Sequence, residues 1–369
     1  MRVLFYVGEK RWSGSARAFL AVARGMGARG HQVTVVCPGG SAAARRAEAF
    51  GVETVPADPD ATAAGDAWSL RRVLQERFVE VAFVHTDREQ LVVSSAMRLA
   101  ERGAIIRRVP AFLAPALLRS GRFALRIASA GLLFTTEAEL AQAQASAEIA
   151  VLPVPPAIAP LGVDVANYDS VRPVNRGSIG VPAEGLLIIC SYEPGARFRL
   201  ATAMRTLALL LPRHPDVHFA VLGPGSLDDD LRMHAAALGV STSVSFLGQR
   251  PDELSILRAA DAGWVVAGGD DGAFAFLDFM AMRIPVLADR QPMPQHYVAD
   301  GSTGVLLSPG APSHTAAAVA PFFVHEDWRT AMGNAARTRA QRDFNEVDMI
   351  DGFERAAAAA ADRTRWAVR

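Results

Sequence analysis

The chain has 369 residues, half of them hydrophobic, so it can bury a substantial core, and its length favours two domains over one. Its 38 basic and 38 acidic residues cancel, which argues against a dedicated nucleic-acid binder, whose surface carries a basic excess. Cys37 and Cys190 each sit in an apolar run and read as buried small hydrophobes in a reducing compartment. The start, Met1–Gly8, reads as a first core strand rather than a secretion signal, and no apolar stretch reaches the roughly 20 residues needed to span a bilayer. The expectation is a soluble, cytoplasmic protein, with peripheral membrane contact left open.

Strand-like and helix-like segments alternate from the first residue. Val3–Val7, Val33–Cys37, Val52–Val55, Val81–His85, Ala104–Arg107 and Leu132–Thr135 are short apolar runs. Between them, Ala16–Arg29, Ala42–Phe50, Trp68–Arg77 and Leu91–Arg102 carry helical spacing. Short apolar strands separated by helices imply a parallel sheet covered on both faces. Glu148–Pro173 breaks the rhythm with Pro153, Pro155, Pro156 and Pro160 and reads as an interdomain linker. The alternation then restarts with strands Leu186–Cys190, Val217–Leu222 and Val244–Leu247 and helices Arg199–Leu211, Leu227–Leu238 and Glu253–Ala260. A last strand at Val305–Leu307 precedes helices Ala316–Phe323, Trp328–Asp343 and Val347–Ala361. The chain is therefore expected to be α/β, with two Rossmann-like domains facing a cleft. The boundaries are 1–160, 161–346, and a terminal helix, 347–369, packing back on the first domain.

The most informative stretch is Val265–Ala288. It reads as strand, Gly-Asp loop, helix and strand, with Asp270 and Asp278 expected to bracket the helix N-terminus. Such a terminus presents unpaired N–H groups and a positive dipole end and so attracts phosphate. Acids beside it are suited to sugar or ribose hydroxyls. The plain alternative makes Asp270 or Asp271 a helix cap and Asp278 a dipole-compensating acid.

Several further segments share one order and spacing. They are Met1-Arg-Val-Leu-Phe5, the Ser13-Gly-Ser15 loop, Leu161-Gly-Val-Asp164, Val221-Leu-Gly-Pro-Gly225, Leu277-Asp-Phe-Met-Ala-Met-Arg-Ile-Pro-Val286 and Asp300–Gly310. Together they resemble the retaining nucleotide-sugar glycosyltransferases of the GT-B fold, group one (family 4-like), over nearly the whole length. The family's hallmark is two glutamates with seven residues between them, and Asp270 and Asp278 keep that spacing.

The resemblance implies a hexosyltransferase using a UDP- or GDP-linked sugar as co-substrate, with no obligatory cofactor or metal. It implies donor-sugar contact for Asp270, ribose contact for Asp278, and diphosphate contact through N–H groups of Gly272, Ala273 and Phe274. Gly223 and Arg250 fall in segments assigned to the donor side, and Gly14 lies in a loop that lets backbone approach phosphate or acceptor. The acceptor is an unidentified glycan, lipid or small molecule.

The chain departs from the family in three places. Ser191 and Ala196 occupy the positions of its arginine and lysine, leaving Arg197 as either a replacement cation or a solvated residue. The family's acceptor-side histidine is missing after Ala104–Arg107. Arg107 and Arg108 there face either an anionic ligand or solvent, and His85 is either an acceptor contact or a structural histidine. Trp12, in a loop with one glycine, either stacks on a ligand or caps the loop. These departures motivate an alternative, a degenerate GT-B protein that binds a glycan or a partner protein without turnover. An epimerase acting on a UDP-sugar is a weaker third reading.

Overall fold

The computed structural model describes residues 1–58, 60–112, 131–145 and 155–367, with side chains as far as 362. The first part of the expected linker, 148–154 with Pro153, lies outside the described residues. The chain divides into unit 1, Met1–Leu161 with Glu346–Arg369, and unit 2, Gly162–Asn345.

Unit 1 contains strands β1 (Arg2–Tyr6), β2 (Gln32–Pro38), β3 (Glu53–Ala57), β4 (Val81–Val84), β5 (Ala104–Arg108), β6 (Gly131–Phe134) and β7 (Ala157–Ile158). Its helices are α1 (Gly14–Ala28), α2 (Ala42–Ala49), α3 (Ala63–Glu76), α4 (Asp87–Ala100) and α5 (Glu137–Gln144). The sheet runs β3-β2-β1-β4-β5-β6-β7 and every pairing is parallel. Strands of a parallel sheet are covered on both faces, which is why β1 and β4 are almost continuously apolar.

Unit 2 contains β8 (Leu186–Ser191), β9 (Val217–Leu222), β10 (Val244–Gly248), β11 (Ala262–Val265), β12 (Val286–Asp289) and β13 (Gly304–Leu307). Its helices are α6 (Arg197–Leu210), α7 (Asp229–Ala237), α8 (Glu253–Arg258), α9 (Gly269–Ala281), α10 (Pro292–Tyr297), α11 (Pro312–Val324) and α12 (Glu326–Asp343). The sheet runs β10-β9-β8-β11-β12-β13, again all parallel. Its core gathers Ile188, Phe219, Trp264 and Leu287 from the strands with Leu200, Leu207 and Phe322 from the helices.

The terminal helix α13 (Glu346–Ala367) belongs to unit 1. Its Phe353 is buried among Phe5, Phe19 and Phe83, with ring centroids 5.0 to 6.2 Å away. Arg24 of α1 pairs with Glu346 at 2.6 Å. Fully burying such an aromatic side chain contributes about 2–3 kcal/mol, which ties α13 to this sheet.

Three differences from the expected elements have a physical reason. β7 lies inside the segment read as linker; two residues are too few to register as a pattern, yet they pair with β6. Helices α5 and α10 were not anticipated, because eight and six residues hardly establish a period. Helix α11 starts at Pro312 and tolerates Pro321 within it.

Candidate active site

In an open parallel sheet, ligands bind beyond the carboxyl ends of the strands where the strand order reverses. In unit 2 that point lies between β8 and β11. The loop after β11 folds back on β8, with Val266 N and Ala267 N each donating to Ser191 O at 3.1 Å. It then enters α9 through Gly268, which carries no side-chain cap.

Gly269 adopts φ 55°, a left-handed conformation that lets the chain turn straight into the helix. Gly272 N–H already bonds Gly268 O at 3.0 Å. A Cβ on Gly272 would lie 2.3 Å from Ala267 O, so only glycine permits this close approach.

These facts correct the sequence reading of α9. Asp278 is not near the helix start but in its last turns, eight residues beyond Asp270. At ~1.5 Å rise and 100° per residue, the two carboxylates are about 12 Å apart along the axis and about 80° apart around it. They do not bracket the N-terminus. Both are buried. Asp278 Oδ1 accepts from the Tyr168 hydroxyl at 2.5 Å, a partner with no signal in the sequence. Gly272, Ala273 and Phe274 also lie past the first three positions of the helix, in the region where N–H groups bond back to carbonyls four residues before, as Gly272 does to Gly268 O.

Arg197 begins α6 and pairs with Asp228 and with Asp230 (3.0 Å), its side chain 48% exposed. Two residues on, Arg199 lies at the entry of α9. Its Nε donates to Val266 O at 2.8 Å, and a guanidinium nitrogen lies 3.7 Å from where a Gly268 Cβ would stand. Two residues, about 200° around α6, set it on a different face from Arg197, towards the entry of α9. It also faces Asp289 at the end of β12. Burial raises the Asp289 carboxyl and the Arg199 charge partly offsets that.

Glu193 was missed as well. Its Oε1 accepts the Gly268 N–H at 2.8 Å and lies 4.0 Å from Arg199. A side-chain carboxylate thus occupies the position that an anion takes at a helix N-terminus. Gly223 turns the chain after β9 and donates to Gly248 O at 3.0 Å. Arg250 forms a two-pronged pair with Asp252, both bonds 2.9 Å, at a partly exposed corner.

In unit 1 the order reverses between β1 and β4. The loops after those strands carry Gly8-Glu9 and His85-Thr86. Glu89 of α4 is almost fully buried and joins them: Oε1 accepts from Gly8 N (2.8 Å), and Oε2 from His85 N (2.9 Å) and Thr86 N (3.1 Å). His85 is 6% exposed. Its Nδ1 lies 2.9 Å from Glu89 Oε2, though not aligned as a hydrogen bond, and its Nε2 is 3.4 Å from Glu9 Oε1.

Burial pushes the His85 imidazole down, but the Glu89 and Glu9 carboxylates more than offset this and raise it to about 10. Burial likewise pushes Glu89 up, and the His85 charge with the backbone N–H groups brings it below the usual carboxylate range.

Gly14 opens α1 behind the Ser13 cap, whose Oγ accepts from Ala16 N at 3.2 Å. Arg107 and Arg108 are not exposed strand-end charges. Arg108 is 1% exposed, and Arg107 is held by Asp87 and by Gln90 (3.0 Å). Trp12 carries the Arg46 guanidinium 3.8 Å over its ring. Cys37 and Cys190 are both buried, and burial pushes both thiols up.

Two parallel α/β units of this kind make the chain a GT-B protein. Residues 182–339 match the family described as glycosyl transferases group 1. The lipopolysaccharide core biosynthesis glycosyltransferase LpsE of Rhizobium meliloti (strain 1021) is 25% identical over 180 residues, 49% of this chain and 52% of that protein. A D-inositol 3-phosphate glycosyltransferase of Corynebacterium jeikeium (strain K411) is 30% identical over 201 residues, 50% of this chain and 47% of that protein. The chain spans about half the length of the curated relatives it matches. The crystal structure of Anabaena Alr3699/HepE in complex with UDP and glucose shares the fold at a TM-score of 0.81 and 17% identity, covering 97% of this chain and all of that one. Among the described residues no helix is long and apolar enough to cross a membrane.

Proposed function

We propose that this protein is a retaining glycosyltransferase that moves a hexose from a UDP- or GDP-linked donor to a hydroxyl acceptor. The observation that carries the reading is Arg199 at the entry of α9. It places a fixed cation beside a helix N-terminus, at the strand reversal of the unit that matches the family. The diphosphate of the donor sits there, and charge developing on it as the sugar leaves is met by the guanidinium and the helix dipole. Arg199 thereby takes the role expected of Arg197. Two residues along α6, about 200° around its axis, turn it to the loop, whereas Arg197 is spent on Asp228 and Asp230.

Asp270 contacts the donor sugar and Asp278 the ribose. Ribose binding requires the Tyr168 hydroxyl to yield or share Asp278. The complex of HepE with UDP and glucose supports a uridine donor over a guanosine one. Departure and attack on one face, with the leaving diphosphate taking the acceptor proton, need neither a protein base nor a metal.

One observation favours the non-catalytic alternative: Glu193 holds the Gly268 N–H that a phosphate would use. Calorimetric titration with UDP, GDP and ADP separates the two. The transferase reading expects one of them to bind in the micromolar range, about ten times more weakly to Asp278→Ala. A folded protein that binds none supports the alternative. Unchanged affinity in Asp278→Ala removes the ribose assignment.

A further inference from the structure

The charge cluster at the strand reversal of unit 1 has no assigned role. Its inner end, Glu89, is saturated by three backbone N–H groups and His85. Its outer end, Glu9, is not. Glu9 Oε1 accepts from Ser13 Oγ and faces His85 Nε2. Glu9 Oε2 takes no hydrogen bond among the described residues, and the side chain is 29% exposed. The sequence supplies the pieces close together: Glu9 follows the first strand, and Ser13 is four residues on, at the cap of α1.

We propose that Glu9, oriented by Ser13 and His85, is a hydroxyl-binding carboxylate that recognises a neutral polyol or sugar as the acceptor of the transfer.

Four points support this assignment. First, the site lies beyond the carboxyl ends of β1 and β4, where open parallel sheets take ligands. Second, a carboxylate with an unused oxygen is an acceptor only, so its ligand must present O–H or N–H. Third, two carboxylates around one imidazole leave one net negative charge, which disfavours a phosphate ester directly on Glu9. Fourth, the imidazolium 3.4 Å behind Glu9 compensates its charge, so a neutral donor is favoured over a second cation. His85, held charged by its two carboxylates, faces Glu9 Oε1 from behind and orients it. His85 is thus a positioning residue, while the contact belongs to Glu9. As an acceptor site, the assignment rests on the transferase reading; as a polyol site, it stands independently.

The test is ligand-observed saturation-transfer titration of the full-length chain with myo-inositol and with an inositol monophosphate, alongside calorimetry with UDP. Wild type is expected to bind myo-inositol at least as well as its phosphate. Glu9→Gln should weaken myo-inositol about tenfold or more, since a hydrogen bond to a charged group is lost. Glu9→Asp, one methylene shorter, should retain part of the binding, and UDP affinity should stay unchanged in both variants.

His85→Gln should weaken myo-inositol less than Glu9→Gln does, because it removes a group that orients Glu9 and leaves the contact itself. If that variant does not fold, Glu9→Gln still decides the proposal. No transfer to myo-inositol in wild type, an unchanged signal in Glu9→Gln, or tighter binding of the phosphate each overturns it. Failure of UDP to bind while the Glu9-dependent signal persists overturns the transferase reading alone.

Discussion

Units 1 and 2 use the same topological device in opposite electrostatic states. At the reversal of unit 1, a buried glutamate, a charged histidine and a second glutamate are wired to the backbone of two loops. At the reversal of unit 2, the loop is held mainly by backbone, and the charged side chains, Glu193 and Arg199, sit at its edge, partly exposed. The first arrangement makes a rigid, preset recognition point. The second leaves a cation and a helix end that a polyanionic ligand can reorganise cheaply. A shared fold thus locates both sites, while the depth of their charges sets how each meets a ligand.

The largest expected effect separates the two. Glu89→Gln leaves the His85 cation buried without its main partner and should destabilise unit 1 by about 3–5 kcal/mol in urea unfolding. A loss below 1 kcal/mol would break the contrast. The pH dependence sharpens it. His85 is raised to about 10 in the folded state, so its contribution is complete below its ordinary value near 6.5. That contribution is lost as pH rises through 10. Glu89 is lowered, so its contribution holds above the ordinary carboxylate range and fades as pH falls through its folded value. In Glu89→Gln the Glu89 limb should vanish and the His85 limb should shrink to what Glu9 supports.

Gly272→Ala acts on unit 2 through sterics rather than charge. The new methyl meets Ala267 O, and thermal unfolding should show a loss of about 1–3 kcal/mol with the unit 1 transition unmoved. Arg199→Ala should weaken UDP about tenfold, while Arg197→Ala stays within about twofold. Equal effects would return the role to Arg197. The smallest change is Glu193→Gln, which removes the negative charge beside the helix end and should tighten UDP by a few-fold. Weaker binding instead would show that Glu193 organises the loop rather than competing for it.

Much of this was legible in the chain. The alternation of Val-rich runs with amphipathic segments specifies parallel sheets, because strands covered on both faces must be apolar throughout. The Asp270–Asp278 spacing drew attention to α9, but its geometry was misread. An aspartate pair eight residues apart looks like a bracket in one dimension and becomes a 12 Å offset (about 1.5 Å per residue) once the chain coils. Arg197 was favoured for nearness to the expected position along the chain. A 100° step per residue instead gives Arg199 the view of the loop. Glu193 and Tyr168 carried no local signal, since each bonds a partner distant in sequence; Glu9 has Ser13 four residues on, but its pairing with His85 is not readable along the chain.

By itself the sequence determined the layer architecture, the two-unit organisation and the loop–helix entry at α9, because these follow from local periodicity and from where glycine interrupts it. Only the tertiary structure decided which charges are buried, which are paired and which remain for a ligand. That outcome depends on distances between loops joined by strand pairing. A carboxylate beside a buried imidazole and a carboxylate beside water read identically along a chain, and differ only once the dielectric and the partners around them are in place.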